Sequence, residues 1–208
     1  MKKVINVNLG GRAFIINEDA FDALEKYLKS IERHFSRSSG FEDILYDIEN
    51  RIAELFEADE KNGSIITNDK IDKVKAIMGD PKDFGDENYD DDNQESKVYT
   101  GKTGKRLFRD GDDKVIAGVA SGLSSYFGIH DPVFLRVLFF ILAISGIGIL
   151  PYIIFWIAVP EAKTSSDRLA MKGEDININS IANTVEESLK DLKNKIEDIG
   201  KGLKTKIL

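Results

Sequence analysis

Residues able to do covalent or metal chemistry are scarce in this chain. Of 208 residues none is cysteine and only two, His34 and His130, are histidine. No thiolate nucleophile, disulfide framework or cysteine metal site is available, and the chain suits any redox compartment. The run Gly118-Val119-Ala120-Ser121-Gly122 places its serine off the centre of a Gly-x-Ser-x-Gly elbow, and neither histidine stands in a plausible order to activate it. Gly146-Ile147-Gly148 lies inside an apolar run with no strand before it, which is neither a dinucleotide fingerprint nor a phosphate loop. Asp90-Asp91-Asp92 lacks the spaced ligands, turn glycine and closing glutamate of a calcium loop and reads as a solvated acidic tether. The remaining carboxylates fall on solvated helix faces or in the linker. No catalytic, cofactor-binding or metal residue is assigned, no cofactor is expected, and an enzyme is not expected.

Charge and hydropathy point elsewhere. Lys+Arg 29 against Asp+Glu 36 gives a net charge of -7, which opposes nucleic-acid capture by the whole chain. Residues 133–159 read VFLRVLFFILAISGIGILPYIIFWIAV, with Arg136 the only charge. As one straight helix this segment would reach about 40 Å, more than the roughly 30 Å hydrocarbon core of a bilayer. Gly146, Gly148 and Pro151 allow a break into two helices. One long span is the first expectation, with a re-entrant hairpin and a buried core hairpin as alternatives. Tyr152 and Trp156 are candidate interfacial anchors, and Arg136 is placed to snorkel to phosphate headgroups or to bond loop carbonyls. Lys102, Lys105, Arg106 and Arg109 form a basic cluster suited to anionic lipid. Met1-Lys2-Lys3 leads into an alternating run with no signal-peptide core, and the N-terminal region is expected to stay in the cytoplasm.

Four blocks frame this segment. Residues 1–85 open with VINVNLGGRAFIIN, a hairpin signal around Gly10-Gly11, followed by three amphipathic helices. Their apolar stripes are Phe21, Leu24, Leu28, Ile31 and Phe35; Phe41, Ile44, Leu45, Ile48, Ile52, Leu55 and Phe56; and Ile71, Val74, Ile77 and Met78, with Asn17 and Asn68 as caps and Gly79 and Pro81 as a stop. Residues 86–104 lack apolar periodicity and form a linker. Residues 105–163 hold the apolar segment, preceded by a helix expected over Lys114 to Phe127, whose Gly118 and Gly122 give one face of small residues for close helix approach. Asp131 and Pro132 start the apolar helix. Residues 164–208 begin with a polar junction and continue as a helix with Ile178, Ile181, Val185, Leu189, Leu192, Ile196, Ile199, Leu203 and Ile207 at heptad-like steps. Val185, Leu189, Leu192, Ile196 and Ile199 are the expected association seam of a homo-oligomer or partner-binding helix, and packing back on the N-terminal block is the alternative. The fold class is mainly α: an α+β N-terminal domain with a small β-hairpin, an apolar helical membrane segment, and a C-terminal amphipathic or coiled-coil helix.

Two family resemblances attach to these residues. The acidic helix and the closing Met78-Gly79-Asp80-Pro81-Lys82-Asp83-Phe84, within Phe41 to Gly85, resemble small helical HAAS-type domains beside membrane regulators, which implies protein interaction. Residues 105–163 resemble a PspC domain of the phage-shock-protein C family. The carrying pieces are Lys105-Arg106-Leu107-Phe108-Arg109, Ile116-Ala117-Gly118-Val119-Ala120-Ser121-Gly122-Leu123, Tyr126-Phe127-Gly128, Asp131-Pro132, Arg136, Tyr152, Trp156 and Pro160. This resemblance implies a bacterial inner-membrane protein that senses envelope stress or scaffolds its response, with the bilayer and a PspA- or PspB-like protein as partners. The alternatives are a membrane-perturbing oligomeric effector and a membrane-associated transcriptional regulator; no basic recognition helix supports the latter, and no nucleic acid is expected.

Overall fold

The computed structural model describes residues 3–58, 65–81 and 104–207. The acidic run Asp90-Asp91-Asp92, most of the linker and Lys102 lie outside the described residues. The chain forms two compact units, one from Met1–Tyr99 together with Asn177–Leu208 and one from Thr100–Ile176. Residues 164–208, read above as one block, are thus divided between them.

The first unit begins with β1 (Val4–Leu9) and β2 (Arg12–Asn17), paired antiparallel from Val4 opposite Asn17 to Leu9 opposite Arg12. Gly10 and Gly11 join them with φ of 55° and 77°, the left-handed pair that a two-residue hairpin turn requires. Alternation sends Phe14 and Ile16 inward and leaves Ile15 exposed. Ile66 adds a parallel bridge to Ile16, its N–H bonding the Ile15 carbonyl at 2.8 Å.

Three helices cover this hairpin: α1 (Glu18–Phe35), α2 (Phe41–Ala58) and α3 (Asn68–Met78). Leu24, Ile31, Phe35, Ile44, Ile48, Ile52, Phe56, Ile71, Val74 and Met78 are buried as the spacing requires. The α1 stripe is rotated from the expected one, because Ala20 and Tyr27 are buried while Phe21 and Leu28 are only half-buried. Tyr27 is amphipathic, and its phenol reaches across to donate to the Gly79 carbonyl at 2.7 Å. Asn17 precedes α1 but its side chain makes no capping bond; Thr67, one residue before Asn68, holds the cap position of α3.

The last helix, α8 (Ile178–Ile207), belongs to this unit. Ile178, Ile181, Ala182 and Val185 are buried, and α8 packs on α2. A Cβ at Gly40, before α2, would meet Leu189 Cδ1 at 2.4 Å and Val185 Cγ1 at 3.0 Å. The expected seam is therefore split. Its first part packs back on the N-terminal block, while Leu192, Ile196 and Ile199 are exposed.

The second unit contains α4 (Val119–Phe127), α5 (Val133–Ile144), α6 (Ile149–Ala158) and α7 (Ser165–Lys172). Val119, Ala120, Leu123 and Leu135 form one buried cluster, with Leu107, Ile129, Phe139, Tyr152 and Phe155 packed around them, and Phe108, Leu169 and Met171 are buried as well. Helix α7 replaces the expected polar junction: Thr164 and Asp167 close a reciprocal capping box at its start. Taken over the described residues the fold is mainly helical with one β-hairpin, as the sequence indicates.

Burial, and secondarily the charge of Asp80, pushes the Tyr27 hydroxyl above its ordinary value of 10.0. The neutral phenol is favoured by folding, so its contribution is complete below about pH 10 and is lost as the pH rises beyond it. Urea midpoints of the full chain followed by circular dichroism should fall above pH 10, and Tyr27→Phe should flatten that fall. An unchanged alkaline slope in the variant would refute the assignment.

Candidate functional site

The apolar segment folds as a hairpin and not as one helix. Asp131 Oδ1 accepts the Val133 N–H at 2.9 Å, and Pro132 fits the helix start, so both act as their types suggest. After 12 residues α5 stops at Ser145; Gly146, at φ 78°, reverses the chain, and the Gly148 N–H returns to the Leu142 carbonyl at 2.9 Å. A Cβ at Gly148 would sit 2.5 Å from Leu142 Cβ, so glycine is required where the two helices part. The 10 residues of α6 then run back, with Pro151 in the first turn. At 1.5 Å per residue the helices are about 18 and 15 Å long. No helix among the described residues is long and apolar enough to cross a membrane, which overturns the single span expected first.

The hairpin surface is apolar and uncovered. Phe134, Phe140, Ile141, Leu150 and Ile154 are exposed, and Ile144 and Ile157 reach 75% and 81% exposure. A cavity of about 480 Å³ opens between the two helices and the residues before α4, lined by Ile116, Ala120, Val137, Phe140, Ile153 and Trp156 and edged by Asp113 and Arg136.

Both ends of the hairpin are tied to one charged loop. Arg109, whose side chain is 17% exposed, donates from Nε to the Val159 carbonyl at 2.8 Å and from Nη1 to the Ala117 carbonyl at 2.9 Å. Its backbone pairs in parallel with Glu161: the Arg109 N–H bonds the Pro160 carbonyl at 2.8 Å, and the Ala162 N–H bonds the Arg109 carbonyl at 2.9 Å. At the other end Arg136, one turn into α5, binds the Asp113 carbonyl at 3.0 Å and its carboxylate at 2.7 Å. The loop between is braced by Asp110, whose Oδ1 accepts the N–H groups of Asp112 and Asp113 while Oδ2 accepts the Ser121 hydroxyl at 2.7 Å. Asp112 pairs with Arg168 at 2.9 Å and Lys114 with Glu161 at 3.3 Å. Tyr152 donates to the Ile116 carbonyl and packs edge-on against Phe139.

This geometry reassigns several residues. The small face of Gly118 and Gly122 is approached closely, but by backbone and not by a helix: added Cβ atoms would lie 1.9 Å from the Asp110 carbonyl oxygen and 2.0 Å from that of Phe108. Helix α4 starts at Val119 and not at Lys114, because Gly118 is left-handed (φ 72°) and Ala117 also has φ 53°. Arg109 is turned inward and is not available to lipid; Lys105 reaches the Tyr126 carbonyl at 3.4 Å, and Arg106 stacks over Phe108. Of the two readings of Arg136, the bond to a loop carbonyl is the one made. Tyr126 packs edge-on against Phe127, Trp156 lines the cavity, and the Pro160 carbonyl accepts the Arg109 N–H. Gly146 and Gly148 make the reversal. Sequence reasoning missed Asp110, Asp113 and Glu161; their signal was the density of charge in Arg109-Asp110-Gly111-Asp112-Asp113-Lys114 immediately before a motif of small residues.

Residues 105–162 match the family model of the PspC domain, so the chain carries a PspC domain built as this clasped hairpin. The match relates the protein to the phage-shock response to envelope stress. It does not extend to Phe41–Gly85, where the HAAS-type resemblance rests on the residues alone. No curated protein and no solved structure matches the chain. Among the described residues no group of His, Asp or Glu is arranged to hold a metal ion.

Two substitutions test the clasp, read by fluorescence of Trp156, the chain's single tryptophan, which lies in this unit. Arg109→Lys keeps the charge but not the fork and should lower the unit's stability by about 1.5–3 kcal/mol. Ala117→Gly should raise it by about 0.5–1 kcal/mol, because glycine relieves the left-handed strain. Equal stability for Arg109→Lys and the parent chain would remove Arg109 from its central role.

Proposed function

We propose that the protein is a membrane-anchored sensor or scaffold of envelope stress that works through protein contacts, and that its PspC domain enters one leaflet as a re-entrant hairpin. One observation carries this reading: an uncovered apolar hairpin whose start and end are both held by the loop 109–114. Water does not stabilise such a surface, and patches of this extent mark a membrane or protein interaction site. Helices of about 15–18 Å fit half of a hydrocarbon core of roughly 30 Å. The flanking residues then remain on one side, which in this reading is the cytoplasmic face of a bacterial inner membrane.

The same links supply a route for a signal. Displacing α5 acts on Asp113 through Arg136, and displacing α6 acts on Ala117 through Arg109, so both movements converge on the segment that leads into α4. A change in lipid packing around the hairpin thereby alters what the domain offers to a partner. The family resemblance makes a PspA- or PspB-like protein the class of partner, and the HAAS-like helices of the first unit are a second surface for it.

The full chain should sediment with membranes and resist extraction without detergent. Ile141→Asp together with Ile154→Asp, both at exposed positions, should weaken attachment by about 3–4 kcal/mol per substitution and move the chain to the supernatant. The paired variant should also fail to restore survival of depleted cells under a protonophore. Recovery of the parent chain in the high-speed supernatant would contradict the proposal.

A further inference from the structure

The distal half of α8 ends its contact with the first unit at Leu189, yet its apolar stripe continues. Leu192, Ile196 and Ile199 follow at steps of four and three and are 55%, 67% and 64% exposed. What lies beside the stripe indicates what covers it. At about 100° per residue, with the stripe taken from Leu189 to Ile199, Lys193 and Lys195 fall roughly 80° to either side of its centre, whereas Asp191, Glu197 and Asp198 fall about 120–140° away, on the back, which Lys190 and Lys201 share. All seven of these charged residues are exposed.

Lysines at both boundaries of the apolar stripe, with a mixed charged face behind, are the arrangement of a helix lying in a membrane interface. There the apolar face enters the acyl boundary, the lysine stems extend along it and the ammonium groups meet anionic headgroups. A second copy of α8 laid parallel and in register would find no carboxylate opposite either lysine, since Lys193 faces Ser188 and Lys195 faces Gly200 at the edge positions. We infer that α8 from Leu192 onward docks on the surface of an anionic bilayer. This makes a second membrane contact, independent of whether the hairpin inserts, and places the splitting of the seam at a boundary between protein packing and lipid.

The absence of native cysteine allows a test in the full chain. Ile196→Cys and Asn194→Cys, each carrying an environment-sensitive fluorophore, are reconstituted in vesicles of phosphatidylcholine with or without 30 mol% of an anionic phospholipid, a composition in the range where about one kcal/mol per lysine is expected. The label at 196 should shift to the blue in anionic vesicles only and return with salt, while the label at 194 should not move. Lys193→Glu with Lys195→Glu should lower the docked-to-free ratio at least about 30-fold. A shift at 196 that is equal in neutral vesicles or in detergent, or that strengthens in the double-lysine variant, would mean a protein partner or a second copy and would overturn the inference, as would no shift. A fluorophore at Ile154→Cys reports the hairpin separately, so failure of one contact is distinguishable from failure of the other.

Discussion

The guanidinium of Arg109 is removed from most of the solvent and meets two carbonyls, Val159 at the end of α6 and Ala117 ahead of α4, with the Glu161 carboxylate 3.9 Å away. A buried guanidinium is tolerated only when such partners are present, because an unpaired charge there costs several kcal/mol. The rest of the PspC domain follows from satisfying it. The segment around Arg109 must run beside Pro160 to Ala162; the small residues Gly118 and Gly122 must let that segment approach; and Ala117 must accept a left-handed conformation so that its carbonyl points at the guanidinium. The ends of the apolar hairpin are thereby fixed together.

This arrangement separates two jobs that a single span would combine. Polar bonds concentrated in the loop 109–114 define the geometry, so the outer faces of α5 and α6 remain free to be almost wholly apolar. Their inward faces pack through Leu135, Phe139, Tyr152 and Phe155 onto Val119, Ala120 and Leu123 of α4. A hairpin tied at its base by polar bonds and along one side by Tyr152 and the α4 cluster, with its turn and outer faces uncovered, responds to its surroundings more readily than a helix anchored on both sides of a bilayer. That property suits a domain whose proposed role is to register the state of a membrane.

Much of the first unit was legible because its elements are amphipathic and each has one period. Gly10-Gly11 marked the turn, and the stripes from Leu24 to Met78 marked the core, while Tyr27 displaced its neighbours because a phenol can be buried once the Gly79 carbonyl accepts its hydrogen bond. The second unit was legible as to family and composition but not as to construction. The small face of Gly118 and Gly122 announced a close approach, and nothing in its spacing said whether a helix or an extended strand makes it. The small, apolar run from Val115 to Val119 carried a helical period that the left-handed backbone at Ala117 and Gly118 interrupts. Helix α7 had a signal in Thr164 and Asp167, three apart, which a polar composition concealed. The α8 stripe was continuous in sequence although it serves two environments, and only the position of Gly40 against Val185 and Leu189 shows where one ends.

The central claim is that the apolar segment turns back where it began. Gly104 precedes the clasp and Glu174 follows it, and both are exposed. Cysteine introduced at each position in turn should be challenged with a membrane-impermeant maleimide, first in intact spheroplasts and then after lysis. The account requires the two positions to behave alike, both protected until lysis. Labelling of Cys at 174 in intact spheroplasts while Cys at 104 stays protected would establish a crossing and contradict it.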